Sequence, residues 1–219
     1  MTEDFAYSHS SDDTYNEPGY VGIPYEGVQA RISEEGEILI KSPGQMVGYY
    51  KRPDLDAQSF TADGFFKTGD LGSRRPDGQL KITGRLKELF KTSKGKYVAP
   101  APIENLLNAH PMIELSMVSG SGFESAYALV VLAEDLRPKL QQNEVRSEVE
   151  KALVELLAKV NKEVAEYERL KMLVVAAQPW SIENGCLTPT MKIKRSHIEY
   201  SVQHQLDNWY ANSKVVIWS

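Results

Sequence analysis

The chain has one cysteine, Cys186, in 219 residues, so no intrachain disulfide can form and a reducing cytoplasm is the expected setting. Positive charge is not in excess either: 25 Lys and Arg stand against 30 Asp and Glu, a formal net charge of −5. That balance speaks against a general surface for nucleic acid or an anionic membrane. Long apolar runs are missing. The longest, Tyr127 to Ala133 and Met172 to Ala177, fall well short of the roughly 20 residues that cross a bilayer. The acidic, polar first residues do not read as a signal peptide. There is no internal repeat and no low-complexity segment. His9, His110, His197 and His204 lack the spacing of a zinc site. Gly120-Ser121-Gly122 lacks the third glycine and helix start of a dinucleotide loop, and reads as a hairpin turn. What remains is ordinary globular composition, 42% hydrophobic and 25% charged, with length enough for one large domain or two modest ones.

The texture changes along the chain. Residues 1 to 20 read as loop. From Gly22 to Gly84 short alternating runs sit between Gly and Pro turns: Val28 to Ile32, Gly36 to Ile40 and Gln79 to Ile82 read as strands, and Pro53 to Phe60 as a short helix opened by proline. Beyond Lys87, Pro102 to Leu107 begins a helix that His110-Pro111 stops. Ile113 to Ser119 and Tyr127 to Ala133 read as paired strands. Val145, Val149, Leu153, Leu156, Val160 and Val164 recur at helical spacing with charges between them. Lys171 to Ala176 reads as a buried strand and Ser196 to Trp209 as a second amphipathic helix. The expected fold is α+β: a small β-rich subdomain over residues 1–84, then an α/β domain over 85–219 built as a small sheet covered by helices.

Several residue types in these runs suit phosphate and sugar chemistry. Asp70, held by the glycine turn of Lys67-Thr68-Gly69-Asp70 at the end of a short apolar run, offers a two-point acceptor for vicinal hydroxyls such as a ribose diol. Arg85, held by a second glycine turn in Ile82-Thr83-Gly84-Arg85, offers a planar fork to the same sugar or to a phosphate. Ser93-Lys94-Gly95-Lys96 makes a turn of backbone N–H groups and cations that suits a polyphosphate. A second flexible loop, Asn184-Gly185-Cys186-Leu187-Thr188-Pro189-Thr190-Met191-Lys192-Ile193-Lys194-Arg195, brings three cations together. Cys186 beside it has no base to activate it and reads as a bystander thiol. Trp180, Trp209 and Trp218 read as packing residues.

In this order and spacing, the Asp70 and Arg85 segments, the Lys94-Gly95-Lys96 turn and the Leu187-to-Lys192 loop resemble the adenylate-forming superfamily, which includes acyl-CoA synthetases, firefly luciferase and peptide-synthetase adenylation domains. The loop forms are most similar to those of long-chain fatty acid–CoA ligases. The resemblance implies a nucleotide-binding role for Asp70, Arg85 and Thr2, with Glu3 as the Mg²⁺ ligand of a threonine–glutamate motif at Met1-Thr2-Glu3. It further implies Lys87 as the hinge, Ser93, Lys94, Gly95 and Lys96 as the thiol-side loop, and Lys192 as the catalytic lysine, with Lys194 and Arg195 near enough to compete for that role. The implied activity is an acid–thiol ligase: a small-molecule carboxylic acid and ATP give acyl-AMP, and coenzyme A takes the acyl group. A carrier protein as acceptor and a luciferase-like oxidation share the same residues. The superfamily's Ser/Thr/Gly-rich phosphate loop and its acyl pocket have no counterpart in these residues. The resemblance therefore implies the C-terminal portion of a longer enzyme, partnered by the rest of a large N-terminal domain and inactive alone. The alternative from another class is a stand-alone lid acting as a binding or split-enzyme module.

Overall fold

The computed structural model describes residues 2–13 and 19–219, so Met1 and part of the expected N-terminal loop lie outside the described residues. The chain forms two compact units, Met1–Glu88 and Leu89–Ser219. The break thus falls just beyond the Arg85-to-Lys87 stretch.

The first unit is an antiparallel meander. Strands β1 (His9–Ser10) and β2 (Ile23–Pro24) pair with each other, and β3 (Gln29–Ile32), β4 (Glu37–Lys41), β5 (Phe66–Arg74) and β6 (Leu80–Arg85) follow in sheet order. The stretch expected to be loop therefore holds β1, and a 3-10 turn at Thr2–Asp4 as well. Ile38 and Ile40 of β4 share one face with Leu80, closed by Val21, Val28 and Ile32, while Leu39, on the alternate face of the strand, is buried as well. Helix α1 (Pro53–Ser59) starts on Pro53, whose absent N–H is one the first turn leaves unbonded anyway. β5 gives no periodic signal because Gly69 and Gly72 interrupt it. Gly72 is required: a Cβ there would stand 2.6 Å from Ile38 Cδ1 and 2.9 Å from the Lys81 carbonyl oxygen.

His9 on β1 is half-buried, and burial together with the nearby Arg74 guanidinium pulls it down to about 4. The unfolded chain binds the proton between the ordinary value of 6.5 and that point, and the folded chain does not. Stability carried by this histidine is therefore complete above pH 6.5 and is lost as pH falls toward 4. Melting temperatures taken across that window should drop more steeply for the native chain than for His9→Gln. Parallel curves would mean the histidine is not held neutral.

The second unit opens with the hairpin β7 (Phe90–Lys91) and β8 (Tyr97–Val98), then α2 (Pro100–Asn108), β9 (Ile113–Ser119), β10 (Ala126–Leu132), α3 (Asn143–Glu163), β11 (Leu170–Val175), α4 (Arg195–Val202), α5 (Leu206–Ala211) and β12 (Val216–Trp218). The sheet order is β12-β11-β10-β9, with β9 antiparallel to β10 and the other pairs parallel. All seven residues of β10 are buried, the pattern of a strand covered on both faces. One cover is α2 and α3 through Ile103, Leu107, Val149, Leu153 and Val160. The other is built from Trp180, Cys186, Leu187, Ile198 and Trp209. The Ser196-to-Trp209 stretch is not one helix: a 3-10 turn at Gln203–Gln205 separates α4 from α5. Trp209 packs edge-on to Tyr127 of β10, at 6.1 Å between ring centroids, and this tertiary contact fixes α5 whatever the local propensity. Among the described residues no helix is long and apolar enough to cross a membrane.

Candidate functional site

In the first unit Asp70 and Arg85 are not in separate turns. They are direct cross-strand partners on β5 and β6, because the glycines sit inside the strands and allow irregular pairing without ending them. Arg85 Nε donates to Asp70 Oδ1 at 2.8 Å, with the aspartate side chain 22% and the arginine 59% exposed. The backbone before Asp70 is held from several directions. Gly69, at φ 72°, donates its N–H to Glu37 Oε1 at 2.9 Å. Thr68 Oγ1 donates to the Ile38 carbonyl at 2.8 Å and accepts the Asp70 N–H at 3.0 Å. Sequence reasoning missed Glu37. Its only local signal is an acidic residue opening an apolar strand, and its partner lies on the next strand.

Glu3, Glu37, Thr68, Arg85 and Lys87 line one cleft of about 820 Å³. Glu3 reaches it from the Thr2–Asp4 turn, which is tied down where the Met46 N–H donates to the Glu3 carbonyl at 2.8 Å. Thr2 is exposed on that turn and does not line the cleft. Asp70 faces a second recess of about 270 Å³ that shares Thr68 with the first and includes His9. Among the described residues no group of three or more His, Cys, Asp or Glu could hold a metal by itself. Glu37 is engaged with Gly69, and Glu3 and Glu88 also line this cleft with carboxylates, the oxygen donors a hard cation takes. Lys87 is exposed in the 3-10 turn Leu86–Glu88 that closes the unit.

In the second unit Ser93, Lys94, Gly95 and Lys96 form the exposed tip between β7 and β8. The tip is closed by Thr92 N–H to the Lys96 carbonyl at 2.9 Å and Gly95 N–H to the Thr92 carbonyl at 2.9 Å, with Gly95 at φ 78°. Lys94 pairs loosely with Glu124 at 3.8 Å on the surface. Lys192 is exposed on a second closed loop. The Thr188 N–H donates to the Lys192 carbonyl at 2.8 Å, and the Lys192 N–H donates to Thr188 Oγ1 at 3.1 Å. Of the three neighbouring cations, Arg195 is committed elsewhere: its guanidinium lies 2.8 Å from Glu104 in a pair largely out of water. Glu104, too, escaped the sequence reading, since its partner is 91 residues away. Burial pushes the Cys186 thiol up, as suits an unreactive sulfur.

The second unit is thus a mixed four-stranded sheet between helices, with a glycine hairpin at its start and a threonine–lysine loop before its last two helices. The chain belongs to the AMP-binding enzyme family: residues 88–214 match the model of the AMP-binding enzyme C-terminal domain. It is 31% identical to human long-chain-fatty-acid–CoA ligase 1 over 83% of this chain and 28% of the relative. With long-chain-fatty-acid–CoA ligase FadD15 of Mycobacterium tuberculosis it shares 35% identity, over 81% of this chain and 31% of that protein. In structure it resembles the A-PCP didomain of a carboxylic acid reductase from Segniliparus rugosus, solved in complex with AMP. There the TM-score is 0.69 at 28% identity, covering 87% of this chain and 28% of that one. The chain thus spans about three-tenths of the length of the curated relatives it matches.

Proposed function

We propose that the chain supplies part of the nucleotide site and the lid of an ATP-dependent acyl-activating enzyme, acting in the cytoplasm. In this reading residues 1–84 are the closing β-rich subdomain of a large AMP-binding domain, and residues 85–219 are the lid, hinged at Lys87. The observation that carries the proposal is the Asp70–Arg85 rung. It holds a carboxylate and a guanidinium 2.8 Å apart on adjacent strands, with the backbone at Gly69 and Asp70 fixed by hydrogen bonds to Glu37 and Thr68. A ribose diol presents two donors to such a carboxylate and an acceptor to such a fork. The structural relative was solved in complex with AMP, which supports nucleotide binding by a protein of this fold.

The first step joins a carboxylate oxygen of the substrate to the α-phosphorus of ATP, and the bond to the leaving pyrophosphate breaks. Charge grows on the bridging and leaving oxygens. Lys192, on a loop of glycine, proline and threonine, brings one ammonium to the α-phosphate and stabilises the transition state more than the ground state. Glu3 would hold Mg²⁺, which neutralises phosphate charge when bound. In the second step the thiol sulfur of coenzyme A bonds to the acyl carbon, the carbon–oxygen bond to AMP breaks, and the thiol proton is lost. The Ser93-Lys94-Gly95-Lys96 tip serves this step, its N–H groups and ammoniums facing the thiol's phosphate-bearing arm. Rotation about Lys87 exchanges the two loops and keeps water from the acyl-adenylate. Fatty acids are the proposed substrate class, by analogy with the long-chain ligases it matches.

The test is ATP–pyrophosphate exchange with a long-chain fatty acid and Mg²⁺. The chain alone should give no exchange. Joined behind the N-terminal portion of a long-chain ligase, it should raise exchange well above that portion alone. A robust rate from the chain alone, or a fusion no better than its N-terminal portion, would overturn the proposal. In the latter case a binding or split-enzyme role takes its place.

A further inference from the structure

The lysine loop and the glycine hairpin hang from the same end of one strand. Arg195, first residue of α4, closes the lysine loop three residues after Lys192. Its Nη1 lies 2.8 Å from Glu104 Oε1, and its Nη2 donates to Glu104 Oε2 at 3.1 Å. Nη1 also donates to the Val118 carbonyl at 2.9 Å, and Glu104 Oε1 accepts the Val118 N–H at 2.7 Å. Both backbone groups of one β9 residue are thus taken up by the two halves of an ion pair. Just beyond, the Gly122 N–H donates to the Lys91 carbonyl at 3.0 Å and the Ser93 N–H to the Phe123 carbonyl at 2.9 Å. Those two bonds fasten the hairpin to the turn that follows β9.

We propose that the Glu104–Arg195 pair is a positioning device for Lys192, fixing its loop to Val118 so that the lysine keeps a constant place relative to the Lys94-Gly95-Lys96 tip. Only the chemical role of Lys192 rests on the adenylate-forming reading; the anchoring does not. The hydrogen bonds across the loop close it but do not tie it to the sheet. Thr190, Met191 and Lys192 are exposed, and Met191 sits at φ 61°, a left-handed conformation disfavoured for a side-chain-bearing residue. Its two ends are therefore decisive. Leu187 buries the first end in the core and Arg195 ties the second. The pair's side chains are only 11% and 16% exposed, so solvent screens their attraction weakly. Desolvation offsets much of that attraction in a buried pair. Its two-armed geometry instead selects one placement, which a lysine ammonium cannot do.

Amide hydrogen exchange on the chain itself tests this. In Arg195→Lys and in Glu104→Gln, the Thr188 and Lys194 amides, bonded to the Lys192 and Cys186 carbonyls at 2.8 Å each, should exchange more than about tenfold faster. The Gly95 amide of the hairpin and the amides of β10 should keep their native rates. The double variant Glu104→Met with Arg195→Met leaves the buried Val118 N–H and carbonyl unpaired, so it should melt below the native chain and leave the loop amides fast. Unchanged loop amides in the single variants, an equal rise across β10, or loop protection restored by the two methionines would each overturn the proposal. No nucleotide enters these measurements, so a failed adenylation assay and a failed anchor are told apart.

Discussion

Replacing Lys192 by alanine should lower ATP–pyrophosphate exchange in the fused enzyme by about 10²–10³-fold, the loss seen when one preorganised charge-stabilising donor is removed. The loss should fall on kcat rather than on the KM for ATP, because the interaction strengthens as charge moves onto the leaving oxygens. Folding should not change. The side chain is exposed, and the bonds that close its loop run through the Lys192 backbone and Thr188. Thioester formation from supplied acyl-AMP should likewise be little affected, as the proposed exchange of the two loops requires. A Lys192→Ala enzyme with native exchange rates would remove the lysine from the mechanism, and Lys194 would be the next to substitute.

Ile198→Ala is expected to be the largest stability loss among substitutions near the site, about 2–5 kcal/mol. Ile198 is 1% exposed and packs with Leu187, Cys186, Trp180 and Trp209 under the loop that carries Lys192. Removing its outer carbons leaves a cavity in a cluster that includes Trp180 and Trp209. The transition of the Leu89–Ser219 unit should shift down by roughly 8–20 °C in thermal melts. A shift of only a degree or two would mean the Trp180 side of the sheet repacks easily, and that the loop's buried end is less fixed than its contacts imply.

Much of the second unit was legible in the sequence because its signals are local. The valines and leucines of α3, the apolar runs of β9 and β10 and the His110-Pro111 stop each declare themselves within a dozen residues. β7, β8 and β12 are two or three residues long and carry no period at all. β5 hid behind its glycines, and so the Asp70–Arg85 pair read as two turns and not as one rung of a ladder. Glu37 and Glu104 were invisible for a different reason. Each matters through a bond to a residue 32 or 14 positions away, Gly69 or Val118, and nothing in the neighbourhood of either glutamate announces it. Chemistry-bearing residues were legible by type and order; the residues that hold them in place were not.

The sheet order of the second unit has a consequence for its synthesis. β12 is an outer strand, and it follows every other strand in the chain. Until residues 216–218 emerge, one side of β11 has no partner, and that strand is Leu-Lys-Met-Leu-Val-Val with five of its six residues destined for burial. An apolar strand with an open row of N–H and carbonyl groups is a template for pairing with another nascent chain. The last few residues of the unit therefore act as its seal, and the interval before they arrive is when the chain is most exposed to aggregation.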